Sequence, residues 1–330
     1  RWGVEETRLI CNMPINHSGC LGDNAATCLI AGGTLILMED FDPDGMLDLI
    51  SEERVNVLMQ VPTQYQVLVG RDGFDAADLD SLELVVWGGA AMARPVLEKL
   101  LERDVRAQVV YGMSEAPASL TYSRSDANIE QLTATIGQPD PEIELRIADE
   151  NGTECPAGEA GEIQVLHDSI FVGYFDDLQA TEKAFTADGF LRTGDQAMER
   201  QDGYLQLVGR LKEMYKSGGY NVYPREIEMT LERHPAVSAA VVVSIPDPLW
   251  SEIGCAFVVP RPGETTEVGD LLDWCRAELA NYKVPKKVTV LSELPLLPIG
   301  KPDKAALRAM AKAGDEEEVA PTSGSTGGHA

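Results

Sequence analysis

The stretch Gly209-Arg-Leu-Lys-Glu-Met-Tyr-Lys-Ser-Gly-Gly-Tyr-Asn-Val-Tyr-Pro-Arg-Glu-Ile-Glu228 is the part of the sequence around which the rest can be arranged. It places four basic side chains, two adjacent glycines and three tyrosines in twenty residues of a strongly acidic chain. Basic groups beside a Gly-Gly turn suit a phosphorylated ligand, because Lys and Arg supply charge and glycine lets backbone N–H groups approach closely. A solvent-exposed hairpin that leads into a helix near Pro224 is an equally good interpretation of the spacing alone.

Composition and charge narrow the range of partners. The chain has 330 residues, 44% hydrophobic and 25% charged, values typical of a globular protein long enough for two or more domains. Its net charge of −27 argues against nucleic acid or an anionic membrane surface as a main partner, because the long-range field repels both. The six cysteines show no C-x-x-C spacing, which indicates reduced thiols and a cytoplasmic protein. No apolar run approaches the roughly 18 residues that span a bilayer.

Residues 1–130 alternate short apolar runs with helix-like stretches, which predicts an α/β subdomain with a partly parallel sheet. The predicted strands are residues 8–13, 33–38, 55–59, 81–87 and 107–111. The predicted helices are residues 43–53, with Asp42 as the capping residue, and residues 95–103.

The rest of the chain predicts three further parts. Residues 131–210 suggest a small antiparallel sheet or barrel-like subdomain, because short β runs at 143–147, 161–165 and 204–208 alternate with turn sequences. Residues 211–312 predict a compact α+β domain, with helices and strands at 224–234, 237–245, 255–260, 271–279, 287–291 and 303–312. Residues 313–330 are acidic and then rich in Ser, Thr and Gly, which predicts a disordered tail.

The segment Gln108–Pro117 ends a β run in Tyr-Gly-Met-Ser-Glu-Ala-Pro. A hydroxyl and a carboxylate at the carboxyl edge of a strand lie where open α/β sheets bind ligands. Ser114 could contact a phosphate and Glu115 a divalent cation, since Mg²⁺ prefers one or two carboxylates together with phosphate oxygens. An ordinary turn at the end of a strand would have the same sequence.

The same residues allow a serine-hydrolase hypothesis. Gly112-Met-Ser-Glu-Ala116 approximates the G-x-S-x-G nucleophile elbow, which needs a helix directly after the serine and a triad histidine further along the chain. Pro117 fits such a helix poorly, and the histidines that follow are His167, His234 and His329.

Four other places carry candidate side chains. Gly88-Gly89-Ala90-Ala91 after a strand could let a flat ring or an acyl group lie against bare backbone, although an ordinary tight turn could have the same sequence. Asp195 beside Gly194 could accept hydrogen bonds from two ribose hydroxyls, although an exposed turn Asp is the commoner case. Prolines and a glycine hold Lys301 on a stiff loop from which it could reach a phosphate. Most surface lysines, however, have no such role. His17 follows a strand, and a lone histidine there is more often structural.

Taken in order, these pieces resemble the adenylate-forming superfamily, which contains acyl-CoA synthetases, adenylation domains and firefly-luciferase-like enzymes. The resemblance covers about residues 8–308 and is carried by six motifs in the family's order: Pro14–His17, Trp87–Met92, Tyr111–Glu115, Gly161–Phe185, Leu191–Arg210 with Lys212, and Leu294–Lys304. The wording of Ser217–Glu228 is most similar to acid–CoA ligases. The resemblance implies ATP, Mg²⁺ and coenzyme A as cofactors, with a carboxylic acid activated as acyl-AMP and then transferred to a thiol.

The resemblance also implies nucleotide-binding and catalytic residues. Asp195 would take the ribose hydroxyls with help from Arg210, and Tyr111 would stack near the adenine. The full nucleotide-binding set would be Gly88, Gly89, Ala90, Gln108, Tyr111, Gly112, Asp195 and Arg210. The catalytic set would be Lys301 at the adenylation transition state, Glu115 on Mg²⁺, Ser114 on phosphate, and His17 at a gate beside the acyl site.

For the second step, the resemblance implies a hinge and a tunnel. Lys212 would be the hinge between the large domain and a C-terminal lid, and the thiol tunnel would be lined by Ser217, Gly218, Gly219 and Tyr220. A carrier protein in place of coenzyme A, or a non-catalytic relative, are the alternatives. The acid is not specified by the sequence, and a medium or aromatic acid is a family-level expectation.

Three departures from the family pattern stand out. Ser114 occupies a position where the family usually has Thr, which keeps the hydroxyl. The chain starts at Arg1 without the family's N-terminal portion and its phosphate-gripping loop, so we expect the natural protein to continue in that direction. The tail Thr322-Ser-Gly-Ser-Thr-Gly-Gly328 is similar to the start of that loop; a linker, a rearranged sequence and a loop in permuted order are the open interpretations.

Overall fold

A computed structural model describes residues 2–297 and 300–318 of the chain. Contacts divide these residues into two compact units. The first unit comprises the chain up to Lys212 together with Gly300 and Lys301, and the second comprises residues 213–297 and the chain from Pro302 onward. No helix in the described ranges is long and apolar enough to cross a membrane.

Seven strands form the main sheet of the first unit. In chain order they are β1 (Arg8–Cys11), β2 (Thr34–Leu37), β3 (Val57–Gln60), β4 (Leu84–Trp87), β5 (Arg106–Met113), β6 (Ala116–Tyr122) and β7 (Gln138–Pro139). Their order in the sheet is β2-β1-β3-β4-β5-β6-β7, with β1 to β5 parallel and β6 and β7 antiparallel. Every residue of β3 and β4 is buried, as expected for parallel strands covered on both faces.

Helices cover this sheet and bury its core. A π-helix, Gly19–Ala26, follows β1 and continues into α1 (Thr27–Ile30). The others are α2 (Pro43–Glu52), α3 (Pro62–Val69), α4 (Arg94–Leu101) and α5 (Ile129–Ala134). Apolar side chains of α2, α3 and α4 pack with Ile10, Leu58, Val85 and Trp87 in one cluster, and Leu9, Cys11, Met59 and Val86 belong to a second cluster. This division follows from the alternation of side chains along a strand.

A second sheet completes the first unit. Its strands are β8 (Glu144–Ala148), β9 (Ala160–Leu166), β10 (Leu191–Glu199) and β11 (Leu205–Arg210), with α6 (Leu178–Ala184) between β9 and β10. The strands are antiparallel in the order β11-β10-β9-β8.

The second unit has a five-stranded sheet with apolar clusters on both faces. Its elements are β12 (Tyr215–Ser217), β13 (Tyr220–Val222), α7 (Pro224–Glu232), β14 (Val237–Asp247), β15 (Ser251–Pro260), α8 (Val268–Glu278), β16 (Lys287–Val290) and α9 (Lys304–Glu318). The stretch Gly209–Glu228 therefore contains the β12–β13 hairpin and the start of α7, which begins at Pro224.

The predicted fold class is confirmed: an α/β part, a β-rich part and a small α+β part follow one another along the chain. Asp42 is the N-cap residue of α2, as predicted, although its side chain makes no hydrogen bond to the first turn. One detail was wrong. Residues 313–318, expected to be disordered, continue α9, because Ala, Lys and Glu favour helix and Leu307 and Ala311 bury one face of it. Residues 319–330, with the Ser/Gly-rich stretch, lie outside the described residues.

Arg225 on α7 is the centre of an ion-pair group in the second unit. Its guanidinium lies 2.8 Å from Glu232 and 3.3 Å from Glu228. The other oxygen of Glu228 accepts a hydrogen bond from the backbone N–H of Val242 (3.0 Å). Burial raises the pKa of Glu232 even with Arg225 beside it. Loss of Arg225 would therefore leave Glu232 without its basic partner, whereas Glu228 would keep the Val242 N–H and Lys304, which lies 3.7 Å away.

We expect Arg225→Met to lower the free energy of unfolding by about 3 kcal/mol, because it removes the basic partner of the buried Glu228 and of Glu232, whose side chain is 30% exposed. Since an unpaired Glu232 has its folded-state pKa raised, stability is lost as pH rises through that pKa, and the deficit should be larger at neutral pH than in mildly acidic solution. Urea unfolding at the two pH values measures both effects.

The matched control is Arg233→Met. Arg233 pairs with Glu278 at 3.3 Å, and the two side chains are 62% and 44% exposed. Its loss should cost about 0.5 kcal/mol or less. Equal losses in the two variants would contradict a structural role for the buried group.

Candidate active site

The turn after β4 holds a lysine from a distant part of the chain. Gly88-Gly89-Ala90 directly follows Trp87 at the carboxyl ends of the parallel strands, where ligands of open α/β sheets bind. Gly89 has φ +79°, and a Cβ there would lie 3.3 Å from Cε and 3.6 Å from Nζ of Lys301. The hydroxyl of Thr63, at the start of α3, donates to the carbonyl of Gly300 (3.0 Å). Glycine at position 89 thus leaves room for the lysine.

A buried carboxylate lies in the same unit. Asp195 on β10 is only 3% exposed. One of its oxygens accepts a hydrogen bond from the Tyr111 hydroxyl (2.7 Å), and the other lies 2.8 Å from Nε of Arg210 on β11. Its backbone N–H donates to Thr193 Oγ1 (3.1 Å). The carboxylate is therefore held in a fixed orientation by a phenol and a guanidinium.

The electrostatics of this group favour an anionic ligand. Burial lowers the pKa of Lys301, the positive charge of Arg210 lowers it further, and Asp195 opposes the shift. Burial, with the charge of Asp195 as a second cause, raises the pKa of Tyr111, which therefore remains a protonated hydrogen-bond donor. Two cations thus share one carboxylate, and added negative charge would relieve their mutual repulsion.

Ser114 and Glu115 lie in the turn between β5 and β6. Ser114 Oγ is 3.3 Å from Ser18 Oγ, at the start of the π-helix. Tyr174 donates its hydroxyl proton to Glu115 Oε1 (2.8 Å), a contact that sequence reasoning missed because 59 residues separate the two. The wider motif containing Tyr174 was recognised, but its partner was not.

His17 lies next to Ser18, close to the same turn in space. Its Nδ1 accepts a hydrogen bond from the backbone N–H of Gly19 (3.1 Å). In the neutral ring this contact assigns the proton to Nε2. His17 is therefore oriented by a local turn, and its other nitrogen remains available to donate.

The structure contradicts the serine-hydrolase hypothesis. Ser114 is followed by the strand β6 rather than by a helix. Among the described residues its side-chain partner is Ser18, His167 bonds Ser169, and His234 packs against Trp274 in the second unit. The elbow geometry and the triad histidine are both missing from the described part of the chain, and His329, the third candidate, lies outside it.

Two other residues predicted to bind the nucleotide, Gly112 and Gln108, lie in different parts of the first unit. Gly112 precedes the Ser114 turn at a bulge between β5 and β6. Gln108 lies nearer the other end of β5, donates to the Ser123 carbonyl (3.2 Å), and lines a separate cavity of about 340 Å³ with Trp2 and Arg106. The structure thus does not bring Gln108 to the Asp195 group.

The predicted hinge and tunnel residues are distributed along the hairpin. Lys212 is the last residue of the first unit before the chain enters the second. Ser217 is buried, and Gly218, with φ +58°, is a position where a Cβ would lie 2.8 Å from the Trp250 ring. Tyr220 is 59% exposed and stacks on Tyr282 with ring centroids 4.5 Å apart. Gly219 lies between Gly218 and Tyr220 in the sequence.

Two family models match parts of this sequence. Residues 1–175 match the family model described as AMP-binding enzyme, and residues 226–301 match the AMP-binding enzyme C-terminal domain. The chain belongs to the AMP-binding enzyme family. Within the family it is 37% identical over 306 residues to a feruloyl-CoA synthase from Amycolatopsis sp, covering 92% of this chain and 62% of that protein.

Two further members of the family are similar over most of this chain. An indoleacetate–CoA ligase from Aromatoleum aromaticum is 34% identical over 305 residues, covering 92% of this chain and 59% of its own length. The solved structure of amide bond synthetase McbA from Marinactinospora thermotolerans superposes with a TM-score of 0.85 at 34% identity, covering 94% of this chain and 62% of that one. The chain therefore spans about three fifths of these relatives.

We expect opposite shifts in the Lys301 pKa from two neighbouring substitutions. Asp195→Asn removes the charge that raises this pKa and should lower it further, so more amine is unprotonated at a given pH. Arg210→Gln removes a like charge and should raise it. The measurement is the pH dependence of Lys301 acetylation by a small active ester, read by peptide mass spectrometry. Acetylation of the exposed Lys183 is the internal control, and shifts in the same direction would contradict the assignment.

Proposed function

We propose that this chain carries the adenylation and thioester-forming residues of an AMP-forming acid–CoA ligase. The observation that carries the proposal is Lys301 against the Gly89 turn, in the same unit as the Asp195–Arg210 pair. It is supported by relatives named as CoA synthases and CoA ligases. Because the chain spans about three fifths of them, the activity of the whole protein is part of the proposal.

In the first half-reaction, a carboxylate oxygen of the acid attacks the α-phosphorus of ATP, and the bond to the β-phosphate oxygen breaks to release pyrophosphate. Lys301 would stabilise the negative charge that spreads over the phosphoryl oxygens. Asp195 and Arg210 would hold the ribose, and the Gly88–Ala90 turn would admit the flat adenine and the acyl group. Ser114 would donate its hydroxyl to a phosphate oxygen.

Mg²⁺ would supply further charge neutralisation on the phosphates. Glu115 fits one ligand of such an ion, since Mg²⁺ commonly takes one or two protein carboxylates and completes its shell with phosphate and water oxygens. The described residues hold no cluster of three or more His, Cys, Asp or Glu side chains suited to a metal, so phosphate oxygens would have to contribute.

In the second half-reaction, the thiol sulfur of coenzyme A attacks the acyl carbon, the mixed anhydride bond breaks, and AMP leaves. Ser217, Gly218, Gly219 and Tyr220 would line the path of the thiol, Lys212 would act as the hinge, and His17 would gate the acyl site. An aromatic acid is the preferred substrate class, because feruloyl-CoA synthase and indoleacetate–CoA ligase are named for aromatic acids. A carrier protein as acceptor is the alternative. A cytoplasmic location remains a prediction from the cysteine pattern.

The proposal predicts acid-dependent release of pyrophosphate from ATP. In the longest natural form that contains this chain, Lys301→Ala should reduce this release by about 100-fold or more, because it removes transition-state charge stabilisation. Lys183→Ala, at an exposed site on α6, is the matched control and should release pyrophosphate at the original rate. Release that survives in Lys301→Ala would refute the role of this lysine; no ATP-induced thermal shift and no release with any acid would point to a non-catalytic relative.

The hinge assignment makes a separate prediction. Lys212→Pro fixes the backbone at this position and should spare acyl-adenylate formation while slowing thioester formation by about tenfold or more. Lys212→Ala keeps the backbone free and is the control. Single-turnover assays of the two half-reactions measure the split, and an equal fall in both would mean that Lys212 is not a hinge.

A further inference from the structure

Five buried polar atoms at three neighbouring strand ends have no hydrogen-bond partner among the described residues. They are both side-chain amide atoms of Asn12, both side-chain amide atoms of Gln60, and Nε1 of Trp87. Asn12 follows β1, whereas Gln60 and Trp87 are the last residues of β3 and β4. The three residues are 9%, 1% and 0% exposed, respectively.

The register places the three residues side by side. Gln60 is paired directly with Trp87 across β3 and β4. Ile10 is paired with Leu58 across β1 and β3. Asn12 and Gln60 each lie two residues further along the chain, which places them on the same face by strand alternation. Ile10, Leu58 and Trp87 belong to one apolar cluster, so strand alternation directs all three polar side chains to that side of the sheet.

Several other buried polar groups in this unit are satisfied, although Asn24 Oδ1 and Gln108 Oε1, away from these strand ends, also lack a partner among the described residues. Asn56 accepts from the backbone N–H of Arg8 (2.8 Å), Gln164 accepts from Arg146 (2.9 Å), and the Tyr65 hydroxyl donates to the carbonyl of Leu58 (2.6 Å). Buried polar groups without partners destabilise a fold and are therefore uncommon. A run of them at one edge of the sheet indicates that something other than stability selected these residues.

Their place points to the acid rather than to the nucleotide. Trp87 immediately precedes the Gly88-Gly89 turn beside Lys301, and the carboxyl ends of parallel strands are the ligand-binding edge of such a sheet. The residues proposed to bind the ribose, Asp195 and Arg210, belong to the other sheet. With the ribose assigned to Asp195 and Arg210 and the phosphates to Lys301, the part of the acid remote from its carboxylate remains as the ligand group that would contact this edge of the sheet.

We propose, on the basis of the proposed function, that Asn12, Gln60 and Trp87 form a polar end of the acyl pocket that selects hydroxylated carboxylic acids. The three side chains offer amide and indole N–H donors together with two amide carbonyl acceptors. A hydroxyl group donates one hydrogen bond and accepts others, so it can engage both kinds of atom. A ketone or an ether would leave the acceptors without a partner.

The test compares acids that differ by one hydroxyl: para-hydroxyphenylpropanoic with para-methylphenylpropanoic acid, and an ω-hydroxyalkanoic acid with its methyl-terminated counterpart. In the longest natural form that contains this chain, kcat/KM for acid-dependent pyrophosphate release should favour the hydroxylated member of at least one pair by about 30-fold or more. Gln60→Met should reduce that preference to about threefold or less, by lowering kcat/KM for the hydroxylated acid alone.

Two controls separate selection from a structural role. Gln60→Met should leave the Tm unchanged or raise it, because it removes a buried amide without a partner. Met59→Leu, whose side chain belongs to the cluster on the opposite face, should leave the preference intact. Equal rates with both members of every pair, or a preference that survives Gln60→Met and Asn12→Leu, would overturn this proposal and leave the proposed function standing. Release with no acid at all would overturn both.

Discussion

The carboxylate of Asp195 is the constraint on which the candidate site depends. It is almost fully buried, and a buried charge is tolerated only when it is paired and hydrogen-bonded. Its partners come from two different sheets, because Tyr111 lies on β5 of the seven-stranded sheet and Arg210 lies on β11 of the four-stranded one. Asp195 therefore adds a charged link between two sheets that also share an apolar cluster, and a ligand hydroxyl at Asp195 would meet oxygens already held in place.

Two basic side chains act on the same site as this carboxylate. Arg210 pairs with Asp195, and the charges of Arg210 and Asp195 both affect the pKa of Lys301. In a chain with a net charge of −27, such basic groups give an anionic ligand a local attraction that the net charge does not. A triphosphate would supply the missing negative charge. The first interpretation of residues 209–228 is changed accordingly: Arg210 pairs with Asp195, whereas Arg225 pairs with Glu232 inside the second unit.

Much of the fold could be predicted from the sequence, because apolar runs and turn sequences mark strands and helices locally. The predicted strand at 55–59 and the predicted helix starting at Pro224 correspond to β3 and α7 with small changes at their ends. Side-chain partners could not be predicted in this way. The contact of Tyr174 with Glu115 depends on how two distant loops pack, and the row of Asn12, Gln60 and Trp87 depends on strand order and register. The catalytic role of Lys301 followed only from the resemblance, since its stiff loop by itself indicated no more than a lysine that could reach a phosphate.

The course of the chain around Lys301 limits how the site could work. Gly300 and Lys301 group by contact with the first unit, whereas Leu297 and Pro302, only a few residues away, belong to the second. The chain enters the second unit at Glu213 and again at Pro302. Within that unit, Lys304 pairs with Glu213 at 2.5 Å, so the two points of entry are linked by an ion pair. Contact with the first unit therefore holds Lys301 beside Gly89, although the chain belongs to the second unit on both sides of this short segment.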